Sequence, residues 1–131
     1  MNSLKDYQKL EEEITYLEFN LERTELELKR WISGDLAKYK LTADSDGAKV
    51  EEHIERIKRE LAFKQEQMKK LTDLIEKFKG LDNNILKMKY IDGMTLEQIA
   101  YELNYSTRYI CNKHAEIMKI IKFVEKTGLG G

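Results

Sequence analysis

From residue 7 onward, apolar side chains fall at Tyr7, Leu10, Ile14, Leu17, Leu21, Leu28 and Trp31, with Thr24 completing the row. The steps alternate between three and four, the period of a coiled-coil seam, and Glu, Lys and Arg fill most positions between them. A second row follows the same rule through Val50, Ile54, Ile57, Leu61, Met68, Leu71, Ile75 and Phe78, with Lys64 standing at one seam position. Two such rows predict two helices, each roughly 40–45 Å long at the helical rise per residue. Their matched lengths predict an antiparallel coiled-coil hairpin with residues 33–49 at its tip.

Within that tip, residues 35–40 (DLAKYK) are expected to form a short helix, because a connection this long rarely lacks structure of its own. Residues 44–47 (DSDG) invite a calcium reading. With Gly47 at the sixth loop position, however, His53 stands where a bidentate Glu belongs, so the frame fails and a turn is expected. Phe19, Leu26, Phe63 and Leu74 lie outside the seams. A lone hairpin buries little surface, so the chain is expected to form a dimer or higher oligomer.

The pattern changes after Gly80, which is expected to end the second long helix as a C′ glycine. Three helices are then predicted. The first, around NNILKMKYI, offers Ile85, Leu86, Met88 and Tyr90 to a core and stops at Asp92-Gly93. The second begins with Thr95 and Gln98 as a capping box, flanked by Met94 and Ile99 as a hydrophobic staple, and runs to Leu103. Asn104 stands where a chain leaves a helix through positive φ, which Asn tolerates well. Ser106 is placed to cap the third helix, with Tyr105 and Ile110 as its staple.

Two short helices joined by three residues, with small Ala100 at their crossing, predict a helix-turn-helix. On the third helix Ile110, His114, Ile117 and Ile121 form the core stripe. Thr107, Arg108, Tyr109, Asn112, Lys113 and Glu116 occupy the other side. Such a helix enters the DNA major groove by its N-terminal residues, where Arg reads guanine and Asn reads adenine in bidentate fashion. Ser106 and Thr107 at the helix start suit phosphate oxygens, and Lys87, Lys89, Lys119 and Lys122 offer further backbone contacts.

Composition narrows the alternatives. The 131 residues are 36% charged and 41% hydrophobic, contain no proline, and carry a net charge of −1. Global attraction to nucleic acid is therefore absent, and any DNA binding must be local. From Leu81 to the end, seven Lys and Arg face six Asp and Glu, a balance of +1, so binding should need a second copy or another DNA-bound partner. No run of about 20 apolar residues and no apolar signal region is present, so no membrane is expected. The single Cys111 fits a cytoplasmic setting.

The stretch ILKMKYIDGMTLEQIAYELNYSTRYICNKHAEIMKI resembles the fourth region of bacterial sigma factors, which reads the −35 promoter element. It is closer still to small phage-encoded regulators with sigma-like C-termini, the RinA and ArpU type, which the chain resembles across nearly its whole length. The resemblance implies a regulator of phage or prophage transcription. It places Thr107, Arg108 and Asn112 on DNA, with Cys111 on the same side. Lys113 stands where such helices usually carry an apolar residue, and Asn104 where they usually carry Gly. The promoter-melting regions of a sigma factor have no counterpart, so a complete sigma factor is not expected.

Cys111 and His114, three residues apart, fall short of a closed metal site within one chain. No nucleophile–base pair or phosphate loop suggests an enzyme, and no cofactor is implied. The expectation is an all-α protein with a coiled-coil hairpin over 1–80, a helix-turn-helix over 81–126 and a flexible tail over 127–131. Its DNA-binding residues would be Ser106, Thr107, Arg108, Tyr109, Cys111, Asn112 and Lys113, and its partners double-stranded DNA and a second copy. The alternatives are an adaptor that grips RNA polymerase or a phage protein, and a phage small terminase subunit.

Overall fold

The computed structural model describes residues 3–33 and 46–127. The short helix expected at 35–40, Asp44 and Ser45 of the expected turn, and residues 128–131 of the expected tail lie outside them. Among the described residues every element is helical. A 3₁₀ turn at Ser3–Asp6 leads into α1 (Tyr7–Ser33), and α2 follows at Asp46–Glu76. Then come α3 (Gly80–Leu86), which continues as a π-helical turn at Lys87–Ile91, α4 (Leu96–Leu103) and α5 (Thr107–Thr127). No described helix is long and apolar enough to cross a membrane.

Two boundaries differ from the sequence reading. Asp46 and Gly47, expected in a turn, already belong to α2. Gly80 does adopt positive φ (59°), but it opens α3 and does not close α2. The second helix ends earlier, at Glu76, and its last amide partners are taken up in a turn where Phe78 N–H donates to the Ile75 carbonyl at 3.1 Å.

The chain forms two compact units. One is Leu10–Gln67, drawn from α1 and α2. Its core is Leu17, Ile57 and Leu61, with Ile14 and Leu21 packed against it. All are positions of the two heptad rows, so the alternating three-four spacing is what decides which faces are buried. Partners run in opposite order along the two helices: Glu13 meets Lys64, whereas Leu28 and Ile32 share a groove with Ile54 and Glu51. The polar seam positions are satisfied locally. Buried Thr24 donates its hydroxyl to the Asn20 carbonyl at 2.6 Å, and Lys64 pairs with Glu13 at 2.7 Å.

The other unit combines Met1–Lys9 with Met68–Gly131. Leu4, Ile75, Ile85, Leu86, Ile99, Ile110 and Ile117 are its most deeply buried side chains. The Gln8 side-chain amide donates to the Ile91 carbonyl at 3.3 Å, beside Gly93, whose φ of 74° turns the chain toward α4. Asn83 donates to the Ile75 carbonyl at 3.0 Å, and Lys87 pairs with Glu76 at 3.0 Å.

Lys64 occupies an otherwise apolar row, where an ion pair offsets a desolvation cost that a hydrocarbon would not incur. Lys64→Leu is therefore expected to raise stability by about 1 kcal/mol. Thermal unfolding followed by circular dichroism checks this, and a lowered midpoint would show that the Glu13 pair is needed.

Candidate functional site

The site is built around the way the chain leaves α4. Thr95 caps the start of that helix: its hydroxyl accepts from the Gln98 amide at 3.1 Å, while the Gln98 side chain accepts from the Thr95 amide at 2.9 Å. The capping box read from the sequence is thus complete. At the far end Asn104 adopts φ 61° and ψ 39°. Its amide donates to the Tyr101 carbonyl at 3.3 Å, and the Tyr105 amide donates to the Ala100 carbonyl at 3.0 Å. This pair of bonds is the Schellman closure, which requires a left-handed residue at this position.

Ser106 then starts α5. Its hydroxyl accepts from the Tyr109 amide at 3.1 Å, and its carbonyl accepts from the Ile110 amide at 3.2 Å. Tyr105 lays its ring on Tyr109, with centroids 5.0 Å apart and planes at 26°. Three residues therefore join the two helices with the Asn104 and Tyr105 amides bonded, and α5 begins in a fixed direction.

The rotation of α5 follows from its apolar stripe. Ile110, Ile117 and Ile121 are buried, and so is Ala100 across the turn. His114, the fourth stripe position, is half-buried; its Nε2 lies 2.7 Å from the Tyr90 hydroxyl, which also approaches the Met118 sulfur at 3.6 Å. Tyr90 is brought there by the π-helical turn, in which the Asp92 amide donates to the Lys87 carbonyl at 3.0 Å. Burial pushes the His114 pKa below its usual 6.5, with the positive charges of Lys89 and Lys5 adding to the effect.

With the stripe inward, Ser106, Thr107, Arg108, Tyr109 and Asn112 are exposed, and Cys111 is half-buried beside them. Arg108 and Asn112 are one turn apart on α5, about 6 Å along its axis. Lys113 is placed differently. It is half-buried, and its ammonium sits 3.1 Å from an Asp82 carboxylate oxygen at the start of α3. That hydrogen-bonded carboxylate raises the Lys113 pKa above its usual 10.5, so the charge is held inside the protein's own ion pair. Tyr90 is expected in the core and is buried there, but neither its bond to His114 nor the Asp82–Lys113 pair is legible in the sequence, since nothing local ties residues so distant in the chain.

Chemically, the exposed face offers a guanidinium, a carboxamide, hydroxyls and a helix N-terminus. These are donors for phosphate oxygens and for base edges. Among the described residues no group of three or more His, Cys, Asp or Glu is gathered to hold a metal ion. Residues 45–121 match a family model described as a protein of unknown function, DUF1492. No curated protein and no solved structure matches the chain.

The depressed His114 pKa has a defined sign. Below the usual value of 6.5 the unfolded chain takes up a proton that the folded chain resists, so stability is complete above that pH and falls as acid approaches the folded pKa. Urea unfolding at pH 7.5, 6 and 5, on the order of the titration range of histidine, is expected to show a smaller loss in His114→Gln than in the parent. Equal losses would contradict the assignment.

A second expectation concerns Asn104. Asn104→Gly should leave stability nearly unchanged, whereas Asn104→Ala should cost about 1 kcal/mol, because Ala keeps the Cβ that opposes positive φ and lacks the short polar side chain whose local hydrogen bonding offsets it in Asn. The midpoint of the same urea transition checks the contrast.

Proposed function

This chain belongs to the DUF1492 family of unknown function, and we propose that it is a sequence-specific DNA-binding regulator of transcription. In this reading α4 and α5 form a helix-turn-helix, and α5 is the recognition helix. The antiparallel pairing of α1 with α2 makes a coiled-coil hairpin. Its partners are double-stranded DNA and a second copy of the chain, and the sigma-like resemblance of the C-terminal stretch points to phage or prophage promoters.

One observation carries the reading: the Asn104–Ser106 turn fixes α5 so that an exposed polar N-terminal face, Ser106 to Asn112, projects opposite its buried stripe. That is the part of a recognition helix that meets base edges. Arg108 reads guanine and Asn112 a neighbouring adenine, since their axial separation of about 6 Å spans roughly two base-pair steps. Ser106 and Thr107, at the positive end of the helix dipole, take phosphate oxygens. Tyr109 lies against Tyr105 and covers the edge of the contact, and Cys111 borders it. Lys113, paired with Asp82, orients α5 more than it adds positive charge.

A second reading, an adaptor that grips RNA polymerase or another protein, is favoured by the surface of α4. Tyr101 is 85% exposed between Glu97 and Glu102. Acidic side chains there repel phosphate and suit a basic protein surface.

Selection from a random DNA library, followed by fluorescence anisotropy at two salt concentrations, separates the readings. The regulator reading expects one enriched motif. Arg108→Ala and Asn112→Ala should each weaken binding to it by about 1–3 kcal/mol, roughly 5- to 150-fold, and relax one base position. Lys113→Ala should weaken it less and without change of preference. If no motif emerges and the variants match the parent, direct readout fails and the adaptor reading takes its place.

A further inference from the structure

The face of α1 turned away from its buried seam carries a second row of heptad spacing: Glu12, Tyr16, Phe19, Arg23, Leu26 and Arg30. Every one of these side chains is exposed, and the three apolar ones strongly so, Tyr16 at 64%, Phe19 at 61% and Leu26 at 59%. Three large apolar side chains held open along one helix stripe are characteristic of a surface that meets another molecule. The row lies wholly within the Leu10–Gln67 unit, so its geometry depends on α1 alone.

We infer that this stripe is a self-recognition seam: two copies of the chain pair α1 against α1 in antiparallel fashion, about a two-fold axis level with Leu21. The charge pattern identifies the occupant. Reversed end for end about that residue, the row matches itself, because facing positions in an antiparallel seam alternate between its two heptad sites. Glu12 then faces Arg30 of the second copy, Tyr16 faces its Leu26, and Phe19 faces its Arg23. The matches are an ion pair, an apolar contact and a guanidinium over an aromatic ring, each occurring twice by symmetry.

A parallel pair in register would set Arg23 on Arg23, Arg30 on Arg30 and Glu12 on Glu12. Like charges so placed oppose pairing, and the antiparallel arrangement is thereby selected. Glu22 does meet its own copy beside the two-fold. The Arg23 side chains, next along the chain, offset that repulsion. The seam covers the length from Glu12 to Arg30, about 27 Å of helix. It is a different surface from the exposed face of α5, and it can hold whether or not the chain binds DNA.

Sedimentation of the full chain at about 50 µM, a concentration at which weak assembly registers, is expected to give a dimer. Phe19→Glu should leave the helical circular dichroism unchanged, because the side chain is exposed, and should weaken dimerisation roughly tenfold or more. Orientation is read by oxidation in a Cys111→Ser background. A mixture of Tyr16→Cys and Leu26→Cys chains should yield the mixed disulfide-linked dimer, while Leu26→Cys alone should not link to itself. A monomeric parent, a dimer that survives Phe19→Glu, or Leu26→Cys chains that link to one another each overturn the seam.

Discussion

At Asn104 the chain passes through a left-handed backbone conformation, and the two amides that follow from it close back on Tyr101 and Ala100. Without that conformation the Ala100 and Tyr101 carbonyls would lose these partners, and α5 would leave α4 in another direction. Ser106 acts at once on the other side of the turn, capping the Tyr109 amide. The direction of α5 is thus set by backbone hydrogen bonds. Its rotation is set by Ile110, Ile117 and Ile121, which must be inside. Together the two constraints leave Thr107, Arg108 and Asn112 facing solvent.

The electrostatics around that face are sparing. Lys113 is consumed by Asp82, Lys87 by Glu76, and Glu97 and Glu102 lie exposed on α4. On the proposed reading a single module therefore gains little from general attraction to phosphate, and discrimination must come from a few donors on α5. Pairing of two copies through α1 would double those contacts without any change in the module, by raising the effective concentration of the second once the first has bound.

Much of this was legible in the chain because each signal was local or periodic. The heptad rows mark Leu17, Ile57 and Leu61 as interior, and Thr95 with Gln98 mark a helix start whose bonds are all within one turn. Asn104 was legible for the same reason, since few other residues tolerate positive φ. What escaped the reading depends on folding. Leu4 is 1% exposed, yet it stands one place off the heptad row that opens at Tyr7, because it joins a unit built mainly from Met68 onward. The Asp82–Lys113 and Tyr90–His114 pairs join residues far apart in the chain, and a lone Asp or Tyr carries no sign of its partner. Gly80 makes the left-handed turn that a glycine signals, but it opens α3 and does not close α2, because a glycine does not say which helix it borders.

Methylation interference is the most direct test of whether α5 reads bases. Guanine N7 lies in the major groove and is one of the two acceptors an arginine grips. With DNA carrying the selected motif, the account predicts that methylation of a particular guanine blocks the parent protein, whereas Arg108→Ala binds methylated and unmodified DNA alike. If guanine methylation has no effect anywhere in the site, or blocks Arg108→Ala as strongly as the parent, Arg108 does not read that base and the central claim fails.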